Sequence, residues 1–449
     1  NKKNITAIFN LIEEKALGYQ QTTKQIQEYK KLLANPNVKS ISIKISSIYP
    51  HITPLNHLDA IEKISKNLQK IFYSTKKWKI KYPNGRYSSK LIMIDMETYD
   101  QLNITVSAFK KALSHPEFSN IYAGIVLQSY LPESFTIQQN LTKWAENRLK
   151  NHNHPIHIRI VKGANLSLEN ISAELNQWTS PLYTTKKETD ANFKKMIHFG
   201  LQNPHINAAH ISIATHNLFD IYDNYQVIKQ NKLEKLCTFE LLEGLSNELQ
   251  EILVEENCQV SSYIPIVTKK NYIHSLAYLT RRFDEQTGKG HFLKYFNQLH
   301  KNTEILNKLH KQHIDSIKKI KSLTHHHAHQ QNQTLPTQSS QFNITTFNNE
   351  PTTNWTLQKN INWIEDELFD YQNSAELFPK NLFINTELRK TKKNTTLFYD
   401  HYTNRDRKIY LCEILSLTKI KNKITKVANE KDQWQQYSHK ERLILFNNV

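Results

Sequence analysis

At 449 residues the chain has room for two or three domains, or for one large barrel with appendages. Only 38% of it is hydrophobic, no apolar run approaches the roughly 18 residues of a membrane span, and three widely spaced cysteines argue against a disulfide framework or zinc site and fit a reducing cytoplasm. The net charge of +18 invites nucleic acid or an anionic membrane surface as a partner, yet the lysines are scattered among asparagines rather than gathered in blocks, so charge alone selects neither.

The chain opens on Asn1 rather than Met and stops inside the apolar pattern "RLILFNNV", which predicts a piece of a longer protein. A first strand is expected before residue 20, near "AIFNLIEE". Seven more candidates follow: "VKSISIKIS" (38–46), "LIMIDME" (91–97), "AGIVLQSY" (123–130), "IHIRIVKG" (156–163), "AHISIAT" (209–215), "CTFELLEG" (237–244) and "CQVSSYIPIV" (258–267). Helical spacers separate them, so the pattern is one of repeated βα units. Eight such units predict an α/β fold of the (βα)8 TIM-barrel type, with a doubly wound sheet as the alternative. Eight glycines, with no G-x-G-x-x-G and no Walker loop, exclude the Rossmann fingerprint.

Next, "AYLTRRFDEQTG" (277–288) reads as the end of an amphipathic helix closed by a glycine, with Tyr278, Arg281, Arg282 and Glu285 within one arc of about 100°. Taken alone, it is a solvated helix face. Residues 301–323 form a basic helix, and 324–341 a low-complexity linker. Its His325, His326, His327 and His329 are read as composition rather than as a metal site. From about 343 a new segment begins, with Trp355, Trp363 and Trp434 and β-like runs near 395–400 and 407–417.

Strand parity sharpens the barrel reading. In "ISIKIS", Ile41, Ile43 and Ile45 share one face and Ser42, Lys44 and Ser46 the other; Arg159 and Val161 likewise oppose Ile158 and Ile160. Lys44, Asp95, Gln128 and Arg159 thus fall late in four consecutive strands. Charged groups are rarely buried without partners, and in a parallel barrel these positions converge on the C-terminal mouth. A rival pairs Asp95 with Glu97 on one strand face, about 7 Å apart, as the carboxylates of a hydrolase. No glycosidase motif accompanies them.

The motifs "SIKISSIYP", "MIDMETYD", "IRIVKGANLSLE", "TKKETDANF", "ATHNLFD", "FELLEGL", "YIPIV" and "YLTRRFDEQTG" closely resemble the proline dehydrogenase region of the proline utilization A family, over about residues 38–295. "FNNEPTTNWTLQKNINW" and "ITKVANEKDQWQQYSHKERLILFNNV" resemble the opening of that family's aldehyde dehydrogenase module. The resemblance implies a distorted barrel over 1–300, a basic helix and His/Gln-rich linker over 301–342, and the start of the second module over 343–449. It implies oxidation of L-proline to Δ1-pyrroline-5-carboxylate, by hydride transfer from C5 to N5 of a non-covalent FAD, as the first step from proline to glutamate. Electrons would pass to a membrane quinone from a cytoplasmic protein held peripherally at the inner membrane. No specific nucleic acid is expected, since the family's ribbon-helix-helix segment is absent. Nor is the NAD-dependent glutamate-semialdehyde activity, because Cys412 comes too early in the second module to be its nucleophile.

The same resemblance assigns roles. Lys44, Arg281 and Arg282 match carboxylate-binding positions, and an arginine offers the planar two-point grip a carboxylate needs. Tyr263, Tyr278 and Leu242 match the walls around the proline ring. Arg159 matches the position that approaches flavin N5, and Asp95 an acid that tunes the pocket. Gln128, Val161, Lys162, Gly163 and Ala164 match the strand and loop holding the isoalloxazine and phosphates. Thr215, His216 and Asn217 match a second FAD loop, and Glu285 a helix residue near the flavin. Two departures stand out: Asn165 and Leu166 replace the Tyr-Trp of other branches, and "NLIEEKALG" matches the family's Asp-Leu-Leu-Gly-Glu poorly. The competing reading is a catalytically inactive barrel that binds nucleic acid or a membrane surface through its basic charge.

Overall fold

The computed structural model describes residues 5–267 apart from 13–14, 83 and 152, single positions between 269 and 295, and 302–325, 331–334 and 349–373; beyond these it describes 382–384, 387–389, 395–399, 408–413, 416–429 and 436–447. The described chain divides into two compact units, residues 1–331 with 351–357, and residues 332–350 with 358–449.

The first unit is built on eight strands: β1 (Ile5–Leu11), β2 (Ser40–Lys44), β3 (Leu91–Asp95), β4 (Ala123–Gln128), β5 (Ile156–Val161), β6 (Ala209–Ala214), β7 (Cys237–Leu242) and β8 (Gln259–Ile266). Every neighbouring pair is parallel, and β1 lies between β8 and β2, which closes the sheet into a barrel and rules out the doubly wound alternative. The weakly matched first segment is therefore a full barrel strand, paired over seven residues with β8.

Ser42, Asp95, Arg159 and Glu240 touch one another across the barrel, so that strand parity faces its interior. The opposite parity carries Ile41, Ile43, Ile92, Ile94, Ile158, Ile160, Ile211 and Ile213, all with no exposed surface, and forms the core shared with the outer helices. β-branched side chains suit both the pleat and this packing. The interior is crowded enough that Gly124 has no room for a side chain: a Cβ there would lie 2.7 Å from Met93 and 2.8 Å from the His157 carbonyl oxygen.

Of the helices, α1 (Tyr19–Ala34), α2 (His57–Lys77), α3 (Leu102–Ser114), α4 (Ser134–Lys150), α5 (Leu166–Leu175), α6 (Lys186–Gly200), α7 (Leu218–Gln230) and α8 (Asn247–Glu255) follow successive strands. Thr185 and Glu188 form a reciprocal cap that starts α6. Helix α9 (Thr303–Lys319), the basic helix set apart from the barrel in the sequence reading, belongs to the same unit and packs chiefly on α6. Of the histidine run, His325 sits with its ring 4.9 Å from that of Phe135 and Nε2 2.6 Å from Lys195 Nζ; His326, His327 and His329 lie outside the described residues. No described helix is long and apolar enough to cross a membrane.

The second unit holds helices α10 (Gln358–Asn373), α11 (Leu417–Asn429) and α12 (His439–Asn447). It also holds two antiparallel pairs, β9 (Leu382–Ile384) with β10 (Glu387–Arg389) and β11 (Thr395–Tyr399) with β12 (Lys408–Glu413).

Candidate active site

The C-terminal ends of the strands bring together one charged cluster. Arg159, on the interior face of β5, donates from Nε to Glu240 on β7 at 2.5 Å. From Nη1 it donates to Asp95 on β3 at 2.8 Å and to Ser42 on β2 at 3.2 Å. Tyr263 on β8 donates to the other Asp95 oxygen at 3.1 Å, and its ring stacks 5.3 Å from the Arg159 guanidinium. Four strands thus converge on one guanidinium. The side chains of Arg159 and Glu240 are 4% and 3% exposed and that of Asp95 14%, so these charges are held out of water by pairing.

Burial on its own would push Arg159 toward losing its proton; Glu240 and then Asp95 more than offset this and raise its pKa. Burial, followed by Asp95, raises the Tyr263 phenol well above its ordinary value, so it stays a hydrogen-bond donor at neutral pH. Arg159 Nη2 and Glu240 Oε1 are buried without a hydrogen-bond partner in the described structure, as is Gln128 Oε1 at the end of β4. Such atoms are costly unless something satisfies them.

Lys44 ends β2, half-buried, in register with Asp95, and has no ion-pair partner among the described residues. Leu242 ends β7, half-buried. Tyr278 is half-buried in helical backbone and close enough to Tyr263 to contribute to raising its pKa. Arg281, Arg282 and Glu285 lie outside the described residues.

The loop after β5 is shaped by its glycine. Gly163 has φ +129°, and a Cβ there would lie 2.3 Å from the Tyr130 ring. The extended run is prolonged by Ser129 and Tyr130, whose amides donate to the carbonyls of Val161 and Lys162 at 2.8 and 2.9 Å. Val161 is half-buried and Ala164 exposed. Lys162 does not extend as a free cation: its ammonium lies 2.7 Å from both Asp190 and Asp220.

Thr215, His216 and Asn217 are also engaged by the fold. Thr215 Oγ1 accepts from the Asn217 amide, and Asn217 Oδ1 accepts from the Phe219 amide, capping α7. His216 Nε2 accepts from the Leu242 amide at 3.1 Å and its Nδ1 meets Ser246 Oγ at 2.7 Å, so it ties β6 to the end of β7.

The paired-carboxylate reading fails on geometry. Strand β3 ends at Asp95, and Glu97 turns to accept from the amide and hydroxyl of Ser46 at 3.2 and 2.8 Å. Ser46 itself is beyond β2, in a helical turn over 45–48, rather than continuing the Ser42–Lys44 face. The loop after β3 is further pinned by Asn165, which donates to the Glu97 carbonyl at 2.9 Å, and by Glu169, which accepts from the Tyr99 amide at 2.8 Å. Burial pushes the Glu169 carboxyl up to about 7.

Glu240 is the residue that sequence reading passed over. Its signal was present: it sits in mid-strand with the parity of Leu242, a charge inside "TFELL", the same argument that singles out Asp95 and Arg159.

Below this layer lies a second polar cluster. Tyr122 Oη stands 2.8 Å from His157 Nδ1 and 3.1 Å from His210 Nδ1, and His157 Nε2 meets Ser212 Oγ at 2.5 Å. Burial, then His210 and Arg159, hold His157 well below the usual imidazole range; burial brings His210 down to about 4.

The family profile described as "Proline dehydrogenase" matches residues 1–295. The chain is 26% identical over 289 residues to the "Bifunctional protein PutA" of Klebsiella aerogenes, covering 62% of this chain and 20% of that protein. It is 27% identical over 176 residues to the "Proline dehydrogenase" of Deinococcus radiodurans, covering 39% of this chain and 48% of that one. Among solved structures, proline utilization A from Corynebacterium freiburgense superposes with a TM-score of 0.68 at 26% identity, covering 85% of this chain and 37% of the other. That from Bdellovibrio bacteriovorus gives 0.72 at 21% identity, covering 94% and 42%, a likeness of fold. The chain thus spans about a fifth to a half of the relatives it matches.

Proposed function

The chain belongs to the proline dehydrogenase family, and from that premise we propose that it oxidises L-proline to Δ1-pyrroline-5-carboxylate with a non-covalent FAD at the barrel mouth, its electrons passing on to a membrane quinone. The observation that carries this reading is the cluster around Arg159: a buried guanidinium held by Asp95 and Glu240, under a half-buried Lys44 that has no ion-pair partner among the described residues. Proline enters as a zwitterion, and its carboxylate needs cations. Lys44 provides one; Arg281 and Arg282 are assigned the rest of the grip. Tyr263, Tyr278 and Leu242 flank the ring, and the task of this pocket is chiefly positioning.

The residues suit a flavin. Gln128 Oε1 and Arg159 Nη2 are buried hydrogen-bonding atoms without partners among the described residues, and Gly163 lets the loop after β5 turn at φ +129° against the Tyr130 ring. Gln128, Arg159, the backbone of Val161 to Ala164, the 215–217 loop and Glu285 would hold it. Bound FAD supplies the two-electron acceptor for the hydride leaving proline C5. Arg159, kept protonated by its carboxylates, contributes a fixed positive charge beside that acceptor. Asp95 orients Arg159 and Tyr263 together and tunes the pocket. Residues 343–449 are read as the opening of the aldehyde dehydrogenase module, and contact with the membrane is read as peripheral.

The test is spectroscopic. The purified chain, reconstituted with FAD and kept anaerobic, should show a flavin spectrum that L-proline bleaches. A folded chain that takes up no FAD, or a flavin spectrum indifferent to proline, overturns the reading.

A further inference from the structure

The loop after β5 and helix α9 are joined by a buried chain of ionic and polar side chains. Lys162 lies between Asp190 of α6 and Asp220 of α7, at 2.7 Å from each. Asp220 is wholly buried; its other oxygen lies 2.7 Å from Lys194 and 3.4 Å from His313 Nδ1. His313, on α9 and 5% exposed, places Nε2 2.7 Å from Asp223. Lys186 joins Asp190 at 2.5 Å, and Lys319 of α9 approaches Glu188 at 3.4 Å.

Taking this many ions out of water costs several kcal/mol each unless the geometry returns it, and apolar residues would pack α9 onto the barrel at lower cost. What ions add is direction. Lys162 follows the last residue of β5, its neighbour Gly163 is at φ +129°, and its carbonyl accepts from Tyr130. Its side chain is thus a tether whose far end is fixed by two helices. Asp220 is the hinge of the arrangement, since it alone among the described residues contacts Lys162, Lys194 and His313. Although burial opposes it, the lysines and His313 hold its carboxyl well below the usual range.

We propose that His313 is a positioning residue for the cofactor loop: acting through Asp220 it fixes Lys162, and with it the backbone of residues 161–164. Helix α9 is then a working part of the site, remote from the mouth. This inference rests on FAD being the ligand of that loop.

A double-mutant cycle on FAD affinity tests it, by titrating the apo-protein with FAD and following flavin fluorescence. His313→Leu should raise the FAD Kd about tenfold, the size of coupling found within one ion network. Lys162→Met should raise it at least as much. In the Lys162→Met background, His313→Leu should then change the Kd by less than about twofold, because the path it acts through is gone. Equal losses in both backgrounds would make His313 a general stabiliser and overturn the proposal. Should His313→Leu fail to fold, Asp223→Asn removes its outer partner at a half-exposed position, with a smaller loss and the same non-additivity expected. A folded wild-type chain that binds no FAD would overturn the reading of the cofactor itself, and this inference with it. A wild-type chain that binds FAD with additive variants would overturn the inference alone.

Discussion

Arg159 engages Glu240 through Nε and both Asp95 and Ser42 through Nη1, leaving Nη2 without a partner among the described residues. Removing one member of a buried pair strands the other, so Glu240→Ala should cost about 3–5 kcal/mol in urea denaturation. Glu240→Gln, which keeps a hydrogen-bonding oxygen, should cost less. A loss below about 1 kcal/mol for the alanine variant would class the pair with exposed ion pairs. Arg281→Ala should chiefly raise the proline concentration needed for turnover while leaving FAD bound; proline titration with flavin absorbance separates the two, and loss of flavin would show a different partner. At this scale Asp95, Arg159 and Gln128 were legible because a polar residue of interior parity late in an apolar strand is costly to bury unless it is paired or bound. The ion pairs of Lys162 with Asp190 and Asp220 were not legible. Period-2 parity says which way a side chain leaves the strand, and nothing about the carboxylates that α6 and α7 bring to it.

At the scale of elements, strand ends were predicted to within a few residues, since each apolar run is stopped by a turn or a helical start. Helix α9 was legible as a helix but not as part of the barrel unit. Its buried positions, Leu309, His313 and Ser316, include a single apolar residue, so its amphipathic pattern marks a helix without naming the face that packs on the barrel. The loop after β5 gives a prediction of its own. Gly163→Ala combines a strained φ with a collision against Tyr130, and should cost about 1–3 kcal/mol of stability together with FAD affinity, read by thermal melting and FAD titration. The histidines beneath the site give another. With His157 and His210 held below the ordinary 6.5, the unfolded chain takes up protons first as pH falls. Their neutral forms stabilise the barrel above that value, and the contribution of His210 is lost between pH 6.5 and about 4. Urea midpoints for wild type and His210→Gln across this window should show the variant losing less; parallel curves would remove His210 from the account.

For the whole molecule, the eight-fold βα count pointed to a barrel, and the strand ladder closes as that reading expects. Strand β1 carries few of the family's motif residues, and only its pairing with both β8 and β2 shows that the sheet has no edge. That pairing has a consequence for how the protein comes into being. Residues 5–11 complete their ladder with 259–266, so the first strand of the barrel waits for its eighth. Contacts of such long sequence separation form slowly, and until they form both β1 and β8 present open edges able to pair with other chains. The cluster around Arg159 draws on β2, β3, β5, β7 and β8, so it cannot assemble piecemeal as the chain emerges. The pocket and the closed barrel arise in a single late event, and its rate governs how long a nascent chain stays vulnerable to aggregation.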